Sequence, residues 1–174
     1  MSNREAAKKG HEKAVADQLL ETEKLDATFE RVGDPDKKEP DAIYQTEGRT
    51  VGIEVATAYY DEADAQDEWE IATGEFPLAP GEIRPSSTGI MGNPDQMIRE
   101  AVQEELEDKC GKKYAGVDET WLCINMFAAL NDAESVAGCL KELEVPATHN
   151  FARIYLTYTA PEHEGGKYIA KRIA

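Results

Sequence analysis

The sequence predicts an α/β domain, a mixed central β-sheet flanked by helices, formed as a single domain over residues 1–174. Three observations predict it. Two runs rich in β-branched and aromatic residues, separated by a short turn, lie between positions 42 and 56. Further strand-like apolar runs stand at 121–127 and 152–158, and the stretches before and between them carry apolar residues at three- and four-residue spacing. The resulting order, helix, strand, hairpin, helix, strand, helix, strand, is that of a layered mixed sheet. A chain of 174 residues with 41% hydrophobic content has enough apolar surface for one packed core.

Taken in order, residues 1–10 are polar and read as a frayed end. From 11 to 25, Val15, Ala16, Leu19 and Leu20 form an amphipathic helical stripe. Glu12 stands three residues before Val15 and seven before Leu19, so it extends the buried stripe. Its alternative reading is a solvated first-turn acid, favourable at a helix N-terminus. Residues 28–32 alternate as a short strand, and the turn-rich stretch 33–38 delivers the chain to Pro40, which has no N–H to donate and suits a strand's first position.

The hairpin follows, with 42–45 and 50–56 as its strands. If Glu47 and Gly48 are the central turn residues, Tyr44 faces Val51, Ala42 faces Ile53 and Asp41 faces Glu54. Two carboxylates at a Cβ separation of roughly 4.5–5.5 Å repel one another. A divalent cation turns that repulsion into a site, because Mg²⁺ takes one or two carboxylates together with waters and phosphate oxygens. Alternation places Asp41, Glu54 and Ala56 on one face, read as the chemical face, with Ile53 and Val55 on the core face. The bland alternative is a pair of ordinary exposed strand acids.

Residues 61–94 are acidic at first and then rich in glycine, proline and serine. Directly after the second hairpin strand, such a loop is either a lid over the site or an acidic insertion, with Trp69 and Phe76 as its docking residues. Asn93 and Pro94 then supply the N-cap and first position of a long helix. Ile98, Val102, Leu106 and Lys109 run down one of its faces, with Lys113 four further on. A lysine continuing an apolar stripe either snorkels to water or reaches the acidic face of the sheet. The run 121–127 reads as a central strand buried on both faces, 132–143 as a helix striped by Val136, Leu140 and Leu143, and 165–173 as a short edge strand or a tail.

The wider composition removes several classes. Cys110, Cys123 and Cys139 are widely spaced and odd in number, which argues for buried thiols rather than a disulfide framework or a zinc knuckle. His11, His149 and His163 lack metal-ligand spacing, and neither a phosphate-cradling glycine loop nor a nucleophile elbow is present. The polar start and the lack of any long apolar run set the expectation of a cytoplasmic protein. A formal net charge of −16 opposes general attraction to nucleic acid, so any such binding must rest on a local basic patch, near 109–113 or 167–172, or on a partner's surface.

Pro40-Asp41 on the first hairpin strand and Ile53-Glu54-Val55-Ala56 on the second resemble the PD-(D/E)xK superfamily of metal-dependent, restriction-endonuclease-like nucleases. Glu12, Ala16 and Leu19 are similar to the family's first helix, so the resemblance covers about the first third of the chain. It implies a restriction-endonuclease-like sheet and a nuclease that hydrolyses phosphodiester bonds in DNA or RNA. It also implies Mg²⁺ or Mn²⁺ held by Asp41, Glu54 and the Val55 carbonyl, with Glu12 acting through water. Ala56 stands where the family has lysine, and the resemblance gives that role to Lys109 or Lys113. The rival expectation is a nuclease-like domain without catalysis, an acidic module that binds a protein partner or mimics nucleic acid.

Overall fold

A computed structural model describes residues 3–59, 66, 70, 73, 93–126, 133–160 and 167–174. The chain forms α1 (Asn3–Thr22), β1 (Thr28–Val32), a 3-10 turn (Pro35–Lys37), β2 (Ala42–Thr46), β3 (Arg49–Ala58), α2 (Pro94–Cys110), β4 (Glu119–Met126), α3 (Ala133–Glu142), β5 (Arg153–Ala160) and β6 (Lys167–Arg172). This is the expected α/β class: a six-stranded sheet in the order β1-β2-β3-β4-β5-β6, antiparallel at both ends and parallel where β3, β4 and β5 meet. The expected loop at 61–94, with Trp69 and Phe76, lies almost entirely outside the described residues, as do Phe127 and Asp132.

The hairpin register is the one the turn dictates. Glu47 and Gly48 both have positive φ, 40° and 81°, which fits a turn matching the twist of its strands. Tyr44 pairs with Val51 and Ala42 with Ile53. Gly52, further along β3, leaves room for Pro40, whose Cγ would lie 2.3 Å from a Cβ at that position.

Both faces of the sheet are packed, which corrects the division into a chemical face and a core face. On one face Val15, Ala16, Leu19 and Leu20 of α1 cover Tyr44, Val51, Ile53, Val55, Trp121, Cys123 and Tyr155. On the other, Ile98, Val102 and Leu106 of α2 cover Ala56, Leu122, Ile124, Ile154 and Leu156. β4 is therefore buried on both sides, as its continuous apolar run predicts.

The first helix begins at Asn3, eight residues before the expected start. Residues 3–10 show no apolar stripe, but they contain alanine, lysine, arginine and glutamate, all good helix formers, and propensity extends the helix past its packed part. The end at Thr22 is followed by Lys24 at φ 54°. β6 resolves the choice at the C-terminus in favour of an edge strand, paired antiparallel to β5. All three cysteines are free and buried. Among the described residues, no helix is long and apolar enough to cross a membrane.

Candidate functional site

The carboxylates meet where β2 ends and β3 continues. The β2–β3 ladder closes at Ala42 and Ile53, so Asp41 lies just outside it, in a bend rather than in the strand. It does not pair with Glu54 as a ladder partner. Instead its Oδ2 accepts the Val55 N–H at 2.9 Å. In an extended strand the N–H and C=O of one residue point to the same side. The Val55 carbonyl therefore also faces the edge of β3 where Asp41 sits.

Glu54 projects from β3 towards α2 and is only 6% exposed. Lys109, in the last turn of α2, donates from Nζ to Glu54 Oε1 at 2.7 Å. Ala56 is 5% exposed within the apolar cluster beneath the same helix. A small residue there keeps α2 close to the sheet, so the lysine arrives from the helix instead of from the strand. Lys113 does not join it: the helix ends at Cys110, Gly111 caps it, and Lys113 is exposed on the loop beyond.

Glu12 is 7% exposed, so the buried reading of this residue holds and the solvated one fails. Its nearest cation is Lys8, at 3.5 Å. Burial raises its pKa, Lys8 opposes the rise and the Glu54 charge adds to it. Asp41 is pushed up to about 7, chiefly by burial and then by the charges of Glu54 and Glu12, against the lowering effect of the Val55 amide and Lys109. Burial alone would lower the Lys109 pKa, but the Glu54 and Asp41 charges outweigh it and the net shift is upward. Among the described residues, three acids thus share one region with the half-buried Lys109.

Sequence reasoning missed Tyr114. Its hydroxyl is buried and meets no partner in hydrogen-bonding geometry among the described residues. It nevertheless lies against the site: burial, the Glu54 charge, close approach to the Glu54 carboxylate and then the Asp41 charge raise its pKa, although the hydroxyl is too poorly aligned with Glu54 for a formed hydrogen bond. The one local signal is the lysine- and tyrosine-bearing run 109–114, which reads as a continuation of the helix, whereas Tyr114 sits on a loop past the end of α2. Arg31 and Glu39 were missed as well. Arg31 makes a two-pronged bridge to Glu39, with Nη2 at 3.0 Å, and the Asp34 N–H bonds the same carboxylate at 2.9 Å. This brace fixes the chain immediately before Pro40-Asp41.

No family model, curated protein or solved structure matches the chain. The residues themselves test the fit to a divalent cation. Among the described residues, no group of three or more His, Cys, Asp or Glu side chains converges closely enough to hold a metal ion alone. Asp41 and Glu54 are hard oxygen donors, the Val55 carbonyl faces the edge where Asp41 sits, and burial, followed by the Glu54 and Glu12 charges, raises the Asp41 pKa to about 7, so an added cation would relieve both. That set suits Mg²⁺, which uses few protein ligands and keeps its waters, better than zinc or calcium, which need fuller cages.

Proposed function

We propose that the protein is a metal-dependent nuclease of the restriction-endonuclease-like class, working in the cytoplasm on phosphodiester bonds of DNA or RNA. The carrying observation is the Lys109–Glu54 contact beside Asp41: a lysine from a different element restores the cation that Ala56 leaves out.

Asp41, the free oxygen of Glu54 and the Val55 carbonyl would hold Mg²⁺ or Mn²⁺, with Glu12 acting through an intervening water. The bound ion would draw charge from the phosphoryl oxygens and lower the pKa of the attacking water. Lys109 is kept charged by its two acidic neighbours, so it can bind a non-bridging oxygen of the scissile phosphate and stabilise charge as water adds at phosphorus. Its bond to Glu54 fixes the lysine head before substrate arrives. Because burial and its acidic neighbours raise the Asp41 pKa to about 7, a cation held there would displace the Asp41 proton, and metal affinity should strengthen as pH rises through about 7.

The test is calorimetric titration of Mn²⁺ into the wild type, Asp41→Ala and Glu54→Ala, followed by incubation with single- and double-stranded DNA and RNA. Wild-type binding and cleavage, both lost in each folded variant, are expected. Cleavage that survives either substitution overturns the mechanism. The second reading, a non-cleaving acidic module that engages a basic partner, rests on the net charge of −16 and on Ala56. It gains ground if no Glu54-dependent metal binding is found.

A further inference from the structure

We propose that the two loops bordering the carboxylate site form a rail for the phosphodiester backbone of a nucleic acid, with Lys38 and Lys113 as its contacting side chains. The rail rests on the nuclease reading for the chemistry to which it presents the strand. It also accounts for how so acidic a chain holds a polyanion.

The loops are far apart in sequence and joined in space. The Ala115 N–H donates to the Lys38 carbonyl at 2.9 Å. Gly116, at φ +79°, packs so closely on the Arg31–Glu39 brace that a Cβ there would lie 2.9 Å from Glu39 Oε1. Only glycine satisfies both the backbone angle and the approach. The brace thus ties both loops to β1. Each loop then runs straight into the site: Lys38 stands three residues before Asp41, and Lys113 precedes Tyr114, whose buried hydroxyl senses Glu54 and Asp41.

The neighbouring lysines are already engaged. Lys109 bonds Glu54, Lys112 bonds Asp108 at 2.5 Å and Lys37 bridges to Asp34 at 3.2 Å. Lys38 and Lys113 are exposed and make no ion pair among the described residues. Lys38 also holds a left-handed backbone, φ 57° and ψ 37°, capping the 3-10 turn, where glycine or asparagine costs less. Lys24 and Glu47 share that conformation in other turns, so strain alone does not single out Lys38. Its position does: an exposed lysine at a costly angle, without an ion pair among the described residues, three positions before Asp41 on the braced loop. Two such cations on a braced surface can each contact a backbone phosphate, with Lys109 reserved for the reacting one.

Anisotropy of short fluorescein-labelled DNA, single- and double-stranded, and of RNA tests the rail, in Ca²⁺ to hold back cleavage and at about 50 and 200 mM salt. The wild type is compared with three pairs: Lys38→Asn with Lys113→Gln, Lys38→Arg with Lys113→Arg, and the distant control Lys141→Gln with Lys171→Gln. Asparagine tolerates the left-handed angle, so the neutral pair keeps the fold, which its melting temperature checks. The neutral pair is expected to lose affinity on the order of tenfold at the lower salt and to flatten the salt dependence by about two ions. The arginine pair and the distant pair retain binding. The rail is overturned if the neutral pair binds like the wild type, if the distant pair loses as much, or if the wild type binds none of the probes. Cleavage in Mg²⁺ is scored separately. Lysine-dependent binding without cutting keeps the rail and ends the nuclease reading, and cutting with lysine-independent binding does the reverse.

Discussion

The two faces of the sheet treat their polar groups in opposite ways. Under α1, Tyr44 donates to Asp17 at 2.8 Å and Tyr155 to Glu23 at 2.9 Å, while Thr157, fully buried, bonds Asn125 at 3.2 Å. Each of these groups meets a partner among the described residues, and the acids that accept lie towards the helix surface where water screens them. At the sheet edge, Glu54 beneath α2, Asp41 in its bend and Glu12 from α1 crowd around Lys109, Glu12 keeping Lys8 as a second cation, and the Tyr114 hydroxyl lies against Glu54 without a well-aligned hydrogen bond. A fold that pairs the described polar groups beneath α1 has no packing need for the excess charge gathered at the edge between the two helices. Concentrated, partly uncompensated charge is what a cation and a phosphate site would require.

The sharpest way to break this contrast is through pH. The Asp41 pKa is raised in the folded state, so between its ordinary value near 4 and about 7 the native protein binds more protons than the unfolded chain. Stability is then fully present below pH about 4 and falls as pH rises through about 7. Between pH 5 and 8 the expected loss for the metal-free protein is up to about 3 kcal/mol, shared with the neighbouring acids. Denaturant melts at pH 5 and 8 measure it. Asp41→Asn should remove most of the slope, and Mg²⁺ should restore stability at pH 8 but not at pH 5. A flat profile in the wild type would mean that Asp41 is neither buried nor crowded by its neighbouring acids.

Next in size is Lys109→Met, which keeps the stem packed under α2 and deletes the charge. Cleavage should fall roughly 10²–10³-fold, in kcat more than in KM, as for loss of one preorganised charge donor. The slope of stability with pH should steepen as well, because the cation that holds down the Asp41 and Glu12 pKa values is gone. Unchanged turnover would demote the Lys109–Glu54 contact to a structural bridge like those under α1.

What the sequence disclosed follows the same division. The hairpin register was legible because a two-residue turn at Glu47-Gly48 leaves only one pairing. Lys109 was legible as the continuation of the Ile98–Val102–Leu106 stripe, whereas Lys113 failed because the helix stops at Cys110, before the next turn. The start of α1 at Asn3 was hidden, since no apolar stripe runs through 3–10. The displacement of Asp41 from the ladder, the Arg31–Glu39 brace and the approach of Tyr114 were also hidden. Each depends on side chains from separate elements meeting in space, which spacing along a single element does not encode.

The smallest expected effect tests the satisfied face. Tyr44→Phe removes the hydroxyl that donates to Asp17 and leaves the ring against Phe29, with centroids 5.5 Å apart. Asp17 keeps Lys13 as a partner at 2.5 Å, so no buried acceptor is left bare. The loss of stability should therefore be only about 1 kcal/mol, the net worth of one hydrogen bond. Tyr44 sits on β2 only two residues from Ala42, where the ladder closes beside Asp41, and so it is close enough to disturb the site if the two faces are coupled. Metal affinity and cleavage in Tyr44→Phe should match the wild type. A loss of either beyond what the melting curve explains would show that the hydrogen bonds under α1 help to set the site, and the contrast between the two faces would no longer hold.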